Sequence, residues 1–70
     1  MMFRPTKARD VLKALFGMGF QLKKQSGSHR ILSRPNAPGF VFCFPDKEML
    51  GRPILSKIAR DTGLTEDMLR

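Results

Sequence analysis

Phe20-Gln21-Leu22-Lys23-Lys24-Gln25-Ser26-Gly27-Ser28-His29-Arg30-Ile31-Leu32 is the stretch on which the fold turns. Phe20, Leu22 and Lys24 alternate with Gln21, Lys23 and Gln25, so a strand of about five residues is expected, half buried through Phe20 and Leu22. Ser26-Gly27 then supplies a hairpin turn, because serine offers a local hydrogen bond and glycine accepts a positive φ. A second strand follows from about Ser28 to Arg34. Its alternation groups His29 with Ile31 and Arg30 with Leu32, which leaves open the side to which His29 points.

Upstream, Ala8, Val11, Leu12, Leu15 and Met18 recur at helical spacing from Thr6 to about Gly17. Thr6 after Pro5 is placed to cap that helix, Gly17-Met18-Gly19 to stop it, and Lys7, Arg9 and Lys13 fall away from the apolar stripe. Met1-Met2-Phe3 is either a frayed start or a cap on the core. Downstream, Pro35-Asn36-Ala37-Pro38-Gly39 reads as a loop and Phe40 to Phe44 as the third strand, ended by Pro45. Phe40, Phe42 and Phe44 share one face, and a domain this small needs them as core more than as a stacking platform. Cys43, within the same run, reads as a small hydrophobe in or near the core. Asp46 to Gly51 reads as a solvated turn, and Pro53 opens a helix that buries Ile54, Leu55, Ile58 and Ala59 and stops at Gly63. Thr65 caps a short last turn, Glu66 to Leu69. The expected architecture is α+β: one α-β-β-β-α domain over residues 1–70, with a three-stranded antiparallel sheet, two helices on one face and the other face left to solvent.

The charge is lopsided. Residues 1–34 hold eight basic side chains (Arg4, Lys7, Arg9, Lys13, Lys23, Lys24, Arg30, Arg34) against the single acid Asp10, whereas residues 35–70 balance five against five, so the first half carries the whole net charge of +7. Such a field concentrates phosphates and speeds their arrival, which makes nucleic acid the expected partner. An anionic lipid surface fits less well, because no segment sets an exposed aromatic face opposite a basic one. No long apolar run suggests a membrane span or a secretory signal, and the expected compartment is the cytoplasm.

His29 is the only histidine. An unperturbed imidazole titrates at about 6.5 and so exchanges a proton near neutrality without help. Lys23, Lys24 and Arg30 lie close by in sequence, so a polyanion drawn to them arrives beside a proton-transfer group. Taken alone, a single histidine in a small domain is more often a surface or structural residue. One Cys and one His cannot close a structural zinc site, and Asp46 and Glu48 beside Lys47 lack the glycine-containing loop of a calcium site, so no metal or other cofactor is expected. A covalent route through Ser28 or Cys43 lacks a nearby carboxylate to orient His29.

Laid out in this way, the chain resembles the HicA-type toxins over about Arg9 to Leu64. The resemblance rests on Val11-Leu12-Lys13-Ala14-Leu15 leading to Gly19-Phe20, on Gln25-Ser26-Gly27-Ser28-His29 followed by Ile31, on Phe42-Cys43-Phe44-Pro45, and on Leu55 to Gly63-Leu64. It implies a fold like the double-stranded RNA-binding domain. It also implies a metal-independent endoribonuclease that cleaves messenger RNA, with His29 at the place of the family's essential histidine, and a HicB-like antitoxin as protein partner. The chain departs from the family pattern at Asp46, where a further polar residue, commonly histidine, is usual, and at Pro53, where a more flexible residue is usual. On this reading Lys23, Lys24 and Arg30 neutralise the phosphate and Gly27 serves the turn with close approach of RNA as a secondary benefit. Ser28 either donates to the phosphate or holds the turn. The alternative is a non-catalytic RNA-binding module of the same layout. Such modules grip phosphates at the start of the last helix, where this chain has only Arg52, Lys57 and Arg60 among nearby acids.

Overall fold

In the computed structural model, which describes residues 3–36 and 39–69, the chain runs β1 (Thr6–Lys7), α1 (Ala8–Gly17), β2 (Gln21–Ser26), β3 (His29–Ser33), β4 (Phe40–Phe42), β5 (Met49–Leu50), α2 (Arg52–Thr62) and a 3-10 turn (Glu66–Leu69). Strands β2, β3 and β4 form the antiparallel sheet in that order, while β1 and β5 make a separate two-stranded ribbon. Met1, Met2 and part of the expected loop, Ala37 and Pro38, lie outside the described residues.

The core follows from two periodicities. Ala8, Val11, Leu12 and Leu15 form the buried stripe of α1, and Leu55 and Ile58 that of α2. Both stripes close over one face of the sheet through Phe20, Leu32 and Phe42, with Leu50 and Leu64 completing the buried cluster. Phe3, Phe40, Phe44, Ile54 and Ala59 are partly buried against this cluster, so Phe3 packs on the core and the phenylalanine stripe packs as expected. Phe42 and Phe44 meet edge to face at 5.4 Å between ring centres.

The helix ends show how local chemistry sets boundaries. Gly63 takes the left-handed conformation (φ 84°) and donates its N–H to Ala59 O at 2.8 Å, the stop expected at that glycine. At the end of α1 the left-handed residue is Gly19 (φ 100°), whose N–H bonds Phe16 O. At its start the expectation fails: Thr6 Oγ1 donates to Arg4 O, and Thr6 belongs to β1. The open N–H groups of Ala8 and Arg9 are instead met by the carbonyls of Glu48 and Asp46, at 2.8 and 3.1 Å. A loop distant in sequence thus caps the helix, and the Asp46–Gly51 segment is more than a solvated turn.

Two burial expectations are corrected. Cys43 is exposed, because Phe42 points into the core and strand alternation sends Val41 and Cys43 the other way. Leu22 is also exposed, at 44%; it pairs with Leu32 but sits on the outer strand of the sheet, beyond the helices' cover.

Candidate active site on the open sheet face

The β2–β3 hairpin closes through Gly27-Ser28, one residue later than the sequence suggests, with Ser26 opposite His29. Gly27 has a φ of 59° while Ser28 is not in the left-handed region, the pattern of a type II′ turn, which demands glycine at its first central position. Gln25 Nε2 donates to Gly27 O at 3.3 Å and steadies the tip. Ser28 is half-buried.

Strand β3 then decides where His29 points. Leu32 is fully buried, so Leu32 and Arg30 face the helices, and His29, Ile31 and Ser33 face away. His29 is exposed, on the face that no helix covers. Among the described residues no side chain hydrogen-bonds its ring.

A bulge brings the lysines to that face. The β2–β3 register shifts by one between Leu22, opposite Leu32, and Lys24, opposite Ile31, which leaves Lys23 as the extra residue. Unbroken alternation from Phe20 and Leu22 carries Lys24 to the core side; the bulge turns Lys24 and Ser26 outward beside Ile31 and His29. Lys23 Nζ donates to Gln21 Oε1, on the same outward row, at 3.2 Å.

Arg30 stands apart from the group with which the sequence placed it. Its guanidinium lies on the core-facing side, where Nη2 donates to Asp46 Oδ1 at 2.8 Å, and the side chain is 13% exposed against 55% for Asp46. Among the described residues, Nη1 is buried without a partner. Asp46 is itself anchored, since its carbonyl caps α1 through Arg9. The pair ties the first turns of β3 and α1 together. Sequence reasoning missed this ion pair, and spacing gives no signal for it, as the two residues are 16 apart. Arg34, just past β3, is likewise engaged: it stacks over Phe20 at 4.7 Å and donates to Thr62 O at 3.1 Å.

The face holding His29 is open rather than pocketed. A concavity of about 530 Å³ lies instead between the free edge of β4 and α2, lined by Phe40, Val41, Cys43, Phe44, Ile54, Lys57 and Asp61 among others. An open, cation-edged face suits a polymer more than a small molecule, which prefers an enclosed cleft. Among the described residues no three His, Cys, Asp or Glu side chains come together as a metal-binding group, and no helix is long and apolar enough to cross a membrane.

Compared with known proteins, the sequence matched no curated protein. It does match the family model described as the HicA toxin of bacterial toxin–antitoxin systems, over residues 8–64. That span runs from the first residue of α1 to the leucine that closes the core after Gly63, taking in the hairpin and its histidine. The chain belongs to the HicA toxin family.

Proposed function

We propose that this toxin is an endoribonuclease that cleaves messenger RNA on the open sheet face, without a metal, with His29 as the proton-transfer residue. The observation that carries this reading is the placement of His29 on the same uncovered face as Lys24, reached only because β2 bulges at Lys23. RNA brings its own nucleophile. The 2′-hydroxyl loses its proton and attacks the adjacent phosphorus, the bond to the 5′-oxygen breaks, and that oxygen takes a proton. The products are a 2′,3′-cyclic phosphate and a free 5′-hydroxyl.

His29 serves as base in the attack or as acid at the leaving oxygen, a role worth about 10²- to 10⁴-fold in rate. With one histidine in the chain, lysine or water fills the other role, and turnover is modest. Lys24 and Lys23 stand on the same face to offset the charge that builds on the phosphorane. Gly27 sets the turn geometry, and the half-buried Ser28 sits between the turn and the site, able to hold one or donate to the other. Arg30 acts one step removed: its ion pair with Asp46 fixes the start of β3 and so the direction of His29. The partner that holds the toxin inactive is a HicB-like antitoxin, and the setting is the cytoplasm.

The test is cleavage of a labelled mixed-sequence RNA in EDTA by the wild type and by a folded His29→Ala variant. Cleavage by the wild type alone, absent on a substrate with 2′-deoxyribose throughout, supports the reading. Equal cleavage by both proteins, loss of activity in EDTA, or cleavage of DNA overturns it. If neither protein cleaves yet both bind RNA, the domain is a binding module.

A further inference from the structure

We propose that Ile31 and Val41 form the seat for a nucleobase next to the scissile phosphate, an inference that rests on the ribonuclease reading of His29. The register places Ile31 opposite Val41 on one side and opposite Lys24 on the other. Directly opposed residues share a face, so Lys24, Ile31 and Val41 make one row across the three strands. His29 lies two residues along β3 on that face, about 7 Å away at the usual rise of a strand.

Ile31 is 40% exposed and Val41 53%, although the solvent face of an antiparallel sheet is ordinarily polar. A single exposed aliphatic residue needs no explanation. Two in direct cross-strand contact, with Lys24 at one end of the row and His29 alongside, make a flat apolar patch at the border of a cationic one. The occupant that matches both halves is a nucleotide, whose base offers a flat apolar face and whose phosphate is anionic. The six phenylalanines do not provide an alternative platform here: Phe20 and Phe42 are buried, and Phe3, Phe40 and Phe44 pack against the core. Phe16, on α1, is exposed on the helix layer. The base therefore rests on aliphatic groups, which gives a weaker and more sequence-tolerant contact than an aromatic stack.

A nucleotide whose base covers the Ile31–Val41 pair presents its own phosphate, or its neighbour's, toward His29 and Lys24. The seat thus governs substrate affinity and not the proton transfer.

The experiment uses a short RNA whose cut site has been mapped with the wild-type protein, together with versions in which each base flanking the cut is removed while its ribose is kept. Variants are Val41→Thr and Ile31→Thr, which retain strand-favouring branched side chains, and Val41→Tyr, which adds a ring. The expected result is a KM raised about three- to tenfold in the threonine variants with kcat within about twofold, and a KM lowered about tenfold in Val41→Tyr, as stacking on an aromatic ring is the stronger contact. Removing one particular flanking base should weaken the wild type to the level of the threonine variants and leave those variants unaffected. Threonine variants that cleave and bind like the wild type, or that lose as much as the wild type on removal of every base, overturn the seat; the patch then belongs to a protein partner. Binding of fluorescent RNA by the same four proteins is measured alongside. If the wild type does not cleave, the ribonuclease reading fails on its own, while the binding comparison still decides whether Ile31 and Val41 hold a base.

Discussion

Replacing Asp46 by alanine is the perturbation that most directly probes how this fold holds its site. The carboxylate accepts one 2.8 Å bond from Arg30 Nη2, and the guanidinium is nearly out of solvent at 13% exposure while Asp46 is 55% exposed. Removing one partner of a fully buried pair costs about 3–5 kcal/mol, because the other charge is stranded. An exposed pair contributes only about 0.2–1 kcal/mol. With the acid half in water, and water able to approach Nη2 once the carboxylate is gone, Asp46→Ala should cost about 2 kcal/mol. For a domain of this size that lowers Tm by about 8–16 °C. The asymmetry of burial gives a sharper test than the magnitude. Arg30→Met leaves an acid that is already half solvated, and its apolar chain can fill the space, so it should cost less than Asp46→Ala. The double replacement Arg30→Met with Asp46→Leu should recover most of the loss, as apolar substitution of a buried pair often does. Urea and thermal unfolding followed by circular dichroism read all three. An Asp46→Ala protein within about 0.5 kcal/mol of wild type, or an Arg30→Met protein that is the less stable of the two, would refute the view that a buried guanidinium depends on this carboxylate.

Two further outcomes bear on the face itself. Lys24→Ala should weaken RNA binding across sequences and reduce the slope of log affinity against log salt by about 0.7, the share of one phosphate contact on a single strand, in anisotropy titrations over a range of KCl; an unchanged slope would move the phosphate elsewhere. Cys43, placed outward by the alternation around Phe42, should react with iodoacetamide in the native protein at close to the rate of the urea-unfolded chain, whereas strong protection in the native state would return the thiol to the core.

The parts of this molecule that could be read from its sequence are those whose causes are local. The stripes of α1 and α2 repeat over enough turns to announce themselves, Gly63 marks a helix end because only a residue without a Cβ adopts φ 84° without strain, and Phe40, Phe42 and Phe44 alternate cleanly. What could not be read depends on partners distant in the chain. A two-residue strand such as Thr6–Lys7 shows no alternation, and its partner, Met49–Leu50, lies far along the chain. The Arg30–Asp46 pair is of the same kind. His29 was visible as a residue but not as a direction, since that required knowing that Leu32, and not Ile31, enters the core.

The bulge at Lys23 joins these observations. Local pattern and observed register disagree over β2: alternation begun at Phe20 assigns Lys24 to the side of Leu32, whereas Lys24 stands opposite Ile31 on the open face. One extra residue resolves the conflict by reversing parity halfway along the strand. Phe20 stays buried, Lys24 and Ser26 turn outward, and the hairpin still closes in register at Ser26 and His29. Departures from regular pattern concentrate where a protein does something besides fold. Here the departure falls four residues before the turn that presents His29 and sets a cation on the same face. The irregular residue and the expected catalytic one are therefore parts of one arrangement: a reversal of strand parity that sets Lys24 on the same face as the only imidazole in the chain.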